Sequence, residues 1–135
     1  MAFQFSTATR NAALDAIEST IGASGVTLEI RSGTVPANAA AVDSGTVLAT
    51  ITVPADWLIA AANGTKTINA GPWTDLLADA AGTLGHFRVK QGVTTHIQGT
   101  VTATGGGGDM TVDNVSIAVN QEIRITAFTI NAGGA

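Results

Sequence analysis

Residues 85–101 read GHFRVKQGVTTHIQGTV, and the fold turns on how this stretch is read. Phe87 and Val89 alternate with His86, Arg88 and Lys90. Beyond Gln91-Gly92, Val93, Thr95, Ile97 and Val101 continue along a second arm. Side chains of an extended strand point to opposite faces in turn, so a period of two broken by a glycine-containing turn predicts a β-hairpin. His86 and His96 alternate with apolar neighbours, which predicts that both project from the wet face.

The same period extends in both directions. Downstream, residues 105–108 are four glycines, read as a flexible connector, followed by MTVDNVSIAV (110–119) and EIRITAFTI (122–130) around Asn120-Gln121. Met110, Val112, Ile117, Val119, Ile123 and Ile125 are the expected inward residues. Phe128 and Ile130 break that alternation, so either a bulge resets the register or a helix covers the second face. Upstream, Val26, Leu28 and Ile30 alternate with polar neighbours, and VLATITV (47–53) alternates until Pro54 ends it. Between them, residues 32–46 carry no period and read as a long connection. Residues 54–83 are the least regular: ADWLIAAANG forms either a helical turn or an irregular edge strand closing at Asn63-Gly64, TKTINAGPW fits a short strand, and WTDLLADAAGT fits a helical turn.

One helix is expected, over about residues 7–21. Leu14, Ile17 and Ile21 form a narrow apolar stripe, with Arg10, Asp15 and Glu18 mainly off it. Ser6, Thr7 or Thr9 serves as the cap, and Gly22 as the stop. An isolated helix of this length is marginal in water, so it must dock on something apolar. The reading is therefore a mainly β fold, an antiparallel β-sandwich or barrel-like sheet pair with one N-terminal α-helix. It forms a single domain over 1–135, with an arm at 1–5, the helix at about 7–21 and the β portion at about 26–131.

Composition narrows the function. The chain has 135 residues and no cysteine, which excludes disulfides, thiolate metal sites and cysteine nucleophiles. Only 12% of residues are charged, and the net charge is −4. The six cations, Arg10, Arg31, Lys66, Arg88, Lys90 and Arg124, are scattered, so no basic patch is legible and nucleic acid is not an expected partner. No apolar run is long enough to span a bilayer, so no membrane partner is expected. The opening MAFQFSTATR lacks the basic start and apolar middle of a secretory signal, and synthesis in a cytoplasm is the expectation.

The chemistry-bearing residues form no reactive set. His86 and His96 lack the further ligands that a zinc site needs. The tetraglycine lacks the Gly-Lys-Ser/Thr of a phosphate loop. Asp109, Asp113 and Asn114, like Asp75 and Asp79, lack the spacing of a calcium loop and read as solvated carboxylates. No nucleophile elbow and no SxxK is present. Neither an enzyme nor a cofactor is expected. Trp57 and Trp73 read as core or interface anchors, with stacking on a sugar as the functional alternative. Phe3 and Phe5 alternate in the arm, as in a segment that adds a strand to a neighbouring sheet. The candidate interface residues are thus Phe3, Phe5, Trp57 and Trp73.

Taken together, RNAALDAI (10–17), GHFRV (85–89) and the GGDM entry to the last strands (107–110) resemble a group of small virion proteins of tailed bacteriophages. The resemblance implies a setting similar to that of head decoration, or cement, proteins: β-rich modules that bind an assembled capsid in many copies and stabilise it. It further implies the major capsid protein or other virion proteins as partners, a homo-oligomer, and location in the virion. A tail, baseplate or host-adhesion component is the alternative. No residue carries a role over from that group.

Overall fold

The computed structural model describes residues 3–69 and 73–135. Helix α1 (Thr7–Ile21) begins at Ser6, whose hydroxyl accepts from the Thr9 amide at 3.2 Å, and it ends where Gly22 N–H donates to Glu18 O at 2.7 Å. The described strands are β1 (Val26–Ser32), β2 (Val47–Thr52), β3 (Thr65–Thr67), β4 (Thr74–Asp75), β5 (Gly82–Gln91), β6 (Thr94–Ala103), β7 (Met110–Val112), β8 (Ser116–Ile117) and β9 (Ile123–Asn131). They form one sheet in the order β2-β1-β5-β6-β7-β9-β3, with β4 on β9 and β8 on β5. The fold is mainly β with one N-terminal helix, and its mixed sheet curls strongly into a half-barrel.

The curl wraps an aliphatic core. Leu28 and Ile30 of β1 pair with Ile51 and Ala49 of β2 and with Val89 and Phe87 of β5, and all six are buried on the concave side. The β5–β6 hairpin forms as its alternation predicts, but Val93 falls between the two strands and is 96% exposed. A register shift opposite Val89 and Lys90 makes His96 an extra residue in β6. A second shift, between Thr111 and Val112 of β7, leaves Thr126 of β9 without a pairing partner in the ladder and returns Phe128 to the core. The bulge, not a covering helix, thus explains the broken alternation of the last strand. Val119 was expected inside and is exposed.

Residues 55–64 form the irregular edge and not a helical turn. Leu58 bridges Ile68, and Ala62 bridges Thr65. Residues 73–80 carry β4 and tie the open rim together. Asp75 Oδ2 accepts from Thr50 N at 2.9 Å, Asp79 N donates to Leu48 O at 2.8 Å, and Ala78 N donates to Gln121 O at 2.9 Å.

The tetraglycine is a packed turn and not a flexible connector. It lets β6 and β7 run parallel, in the register Val101↔Met110 to Ala103↔Val112, with only residues 104–109 between them. Parallel neighbours normally need about a dozen connecting residues or more, because the backbone must travel back to the level at which it started. Here it returns along the flank of β6 itself. Gly105 and Gly107 take φ of 85° and 81°, and a Cβ on Gly106 or Gly108 would stand 2.7 or 2.9 Å from Thr102. Gly108 N donates to Thr102 Oγ1 at 3.0 Å, and Asp109 Oδ2 takes both the amide and the hydroxyl of Thr100 at 2.8 Å. These bonds to the ionised form, backbone amide first, hold the Asp109 carboxyl below its ordinary value.

Candidate functional site

Period two sends Glu29 and Arg31 of β1, and His86, Arg88 and Lys90 of β5, to the convex face, opposite the core. Such a face ordinarily meets water. Here residues 33–46 fold back over it, and Arg31, His86, Arg88 and Lys90 are all buried.

Arg88, only 1% exposed, organises that loop. Its guanidinium donates to the carbonyl oxygens of Asn38 at 3.1 Å and Ala41 at 3.0 Å, to Gln98 Oε1 at 2.8 Å, and to the Asp43 carboxylate. Five N–H groups in a rigid fork can thereby fix a segment that has no ladder of its own. Asp43 also pairs with Lys90 and, at 3.2 Å, with Arg31. Glu29 takes Arg31 at 2.7 Å and Lys90 at 3.1 Å. Gln98 Nε2 donates to Pro36 O at 2.7 Å, and His86 Nδ1 lies 3.0 Å from Gly33 O. Three cations and two carboxylates thus form a closed polar layer, which raises Val42 on the loop to 89% exposure. Beside it a depression of about 500 Å³ is lined by residues 39–43, Arg88 and the β5–β6 turn at Val93 to Thr95.

Hydrogen bonds from Lys90 and then Arg88 hold the Asp43 carboxyl down to about 2, from an ordinary 3.8. Because the folded value is the lower one, the linked stabilisation is complete above the ordinary carboxylate range and is lost as pH falls through it toward the folded value. We therefore expect the amide signals of residues 33–46 to keep their native positions in NMR spectra at pH 5. They should collapse between about pH 4 and about pH 2, ahead of the β1–β5 core signals. Unchanged loop signals at the acid end would refute this anchoring.

Helix α1 is held by a second polar set. Asn11 Oδ1 accepts from Gly64 N at 2.8 Å, Asp15 Oδ1 from Ala61 N at 2.9 Å, and Glu18 Oε1 from Leu58 N at 3.2 Å. Spaced about one helical turn apart, the three residues satisfy every third amide along the 55–64 edge. They thereby blunt an edge that would otherwise invite pairing. Lys66, 2% exposed, donates to Asp15 at 2.7 Å and Ile59 O at 2.8 Å, with Glu18 at 3.4 Å. The Lys66 bond holds the Asp15 carboxyl below its ordinary value, with the Ala61 amide adding to it. Asp15 and Glu18 were read as lying off the docking stripe; they are part of the dock.

The residues expected at an interface separate into two groups. Trp57 and Trp73 are buried, with ring centroids 6.1 Å apart, and they continue through Phe128 to Phe87. Both are core residues, and neither is available to a partner or to a sugar. Phe3 is 87% exposed and stacks on the half-exposed Phe5 at 6.3 Å; residues 1 and 2 of the arm lie outside the described residues. Phe5 N donates to Gly134 O at 2.6 Å, so this end of the arm pairs within its own subunit, beside a small apolar cavity lined by Phe5, Ala13 and Ala132. The two histidines do not form a pair. His86 is buried under the loop opposite Thr100, a correction to its expected wet position, while His96 stays exposed in a cleft against Ile17 and Ile21 of α1.

The loop anchor escaped the sequence reading, although a signal was there. Three basic or imidazole groups at alternate positions of one strand, in a protein with six cations, face a fifteen-residue connection that carries Asp43 as its only charge. Among the described residues no group of three or more His, Asp or Glu is placed to hold a metal ion. Comparison with protein-family models, curated proteins and solved structures gave no match.

Proposed function

We propose that this protein is a structural component of a tailed-bacteriophage virion, a decoration or cement module that binds the assembled head and stabilises it. The observation that carries the reading is where the charge goes. Four of the six cations, Arg31, Lys66, Arg88 and Lys90, are buried in internal ion pairs. The outer surface is left acidic to neutral and is studded with Phe3, Phe5, Val42, Val93, Leu76, Leu77 and Val119. Such a surface suits protein docking, where desolvating charge is costly, and is a poor match for phosphate backbones. Many copies, each burying a modest area across neighbouring capsid subunits, would reinforce a shell through simultaneous engagement. The alternative is a tail, baseplate or host-adhesion component; burial of both tryptophans in the core removes glycan stacking by those rings as a reason for adhesion.

The test is to quantify the protein in purified virions and to measure its binding to emptied heads. Hundreds of copies per particle, with binding lost in a Phe3→Ser, Leu76→Ser double variant that still folds, is the expected result. A handful of copies would move the protein to the tail, and absence from particles would refute the proposal.

A further inference from the structure

Asn63-Gly64 is the single Asn-Gly pair in the sequence. We propose that it is a latent site of spontaneous covalent modification, deamidation through a succinimide, and that Asn11 of helix α1 keeps it closed. The chemistry needs only water. The Gly64 nitrogen, having given up its proton to solvent base, bonds to Cγ of Asn63; the bond between Cγ and Nδ2 breaks and ammonia leaves. Water then opens the five-membered imide at either carbonyl, giving aspartate or isoaspartate at position 63. Glycine is the most permissive follower because it has no Cβ to crowd the attacking nitrogen. Every other asparagine here is followed by Ala, Val or Gln.

Solvent reaches the Asn63 side group, which is exposed, while Gly64 is buried. The pair forms the two-residue turn of a tight hairpin, with φ of 54° and 74°, and Ala62 and Thr65 exchange backbone hydrogen bonds of 2.9 and 3.0 Å across it. The nitrogen that must attack is already engaged: Gly64 N–H donates to Asn11 Oδ1 at 2.8 Å. An amide whose proton points at a carbonyl oxygen resists losing it, because the anion left behind would face that oxygen's lone pairs. The Gly64 carbonyl accepts from Ala132 N at 2.9 Å, and the Arg10 guanidinium lies over the Gly64 α-carbon. Ring closure therefore waits for the turn to separate from α1, a local opening and not global unfolding.

The product would be consequential. Isoaspartate threads the backbone through an additional carbon, which a two-residue turn cannot absorb, so the 62–65 bridge and the Gly64–Asn11 bond would both fail after reaction.

The experiment holds the full-length protein, folded and in urea, at mildly alkaline pH and follows residue 63 by peptide mass mapping and isoaspartate detection. Asn63 in the folded protein should convert at least ~100-fold more slowly than in urea. Asn11→Ala should raise the folded-state rate roughly five- to tenfold, whereas Asn11→Asp, which keeps an oxygen acceptor, should stay close to the parent. Hydrogen exchange at the Gly64 amide should follow the same order. Equal rates in the folded and urea-treated protein, an Asn11→Ala rate equal to the parent's, or an Asn11→Asp rate as fast as that of Asn11→Ala would each overturn the proposal. Should Asn11→Ala fail to fold, hydrogen exchange at the Gly64 amide of the folded parent decides it: exchange as fast as in urea would show that Asn11 does not hold this proton and would overturn the proposal.

Discussion

Trp57→Ala should be the most damaging single substitution in the core, lowering unfolding free energy by about 3–5 kcal/mol in urea titrations. That is a large fraction of the roughly 5–15 kcal/mol available to a domain of this kind. Trp57 is fully buried, and its ring is the first of four aromatic rings that run through Trp73 and Phe128 to Phe87, the last two meeting edge-on at 5.3 Å. Truncation leaves a cavity bounded by rigid rings and strand backbone, which cannot collapse to fill it. The indole Nε1 also donates to Gly22 O at 2.9 Å, so the same substitution strips a partner from the end of α1. Trp57→Phe separates the two effects. It keeps most of the volume and should cost about 1–2 kcal/mol, with the helical signal fraying first. A cost for Trp57→Ala below that of Trp57→Phe would show that the ring is not packed as described.

Asp43→Ala should cost on the order of 3 kcal/mol, a large effect for a residue on a surface loop. The reason lies in its partners and not in Asp43 itself. Arg88 and Lys90 are buried and would keep their charges while losing the carboxylate that both share. Limited proteolysis should then cut within residues 33–46 while β1 and β5 stay protected. Adding Arg88→Met to Asp43→Ala should recover part of the loss, since an apolar group of similar length removes the orphaned guanidinium and leaves Lys90 paired with Glu29 at 3.1 Å. If the two changes simply add, the ion pair is not coupled and the loop is held by its other contacts.

The β5–β6 hairpin, the strand at Val26 to Ile30 and the helix were legible because their apolar positions repeat at a period set by backbone geometry alone. What escaped was set by distance in space. Nothing local to Asp43 announces that Arg31, Arg88 and Lys90 converge on it, since the pairs are twelve to forty-seven residues apart in sequence. Trp57 and Trp73 lie in the segment with the least periodicity, so their type signalled importance without signalling which side of the surface they occupy. The tetraglycine misled for a related reason. Conformational freedom in an unfolded polypeptide and the ability to pass close to Thr102 in a folded one both demand the missing Cβ, and composition cannot distinguish them.

Strand β9 pairs with β3, β4 and β7, elements that lie between residues 65 and 112. Until residues 123–131 have been made, β3 and β4 lack their ladder partner and β7 has only β6, while β1, β2, β5 and β6 can already pair. Closure of this side of the sheet therefore waits for β9, and it belongs to the slow regime of millisecond-to-second barriers that long-range pairing imposes. During that interval the nascent polypeptide offers sticky, half-built strands to its siblings on the same messenger.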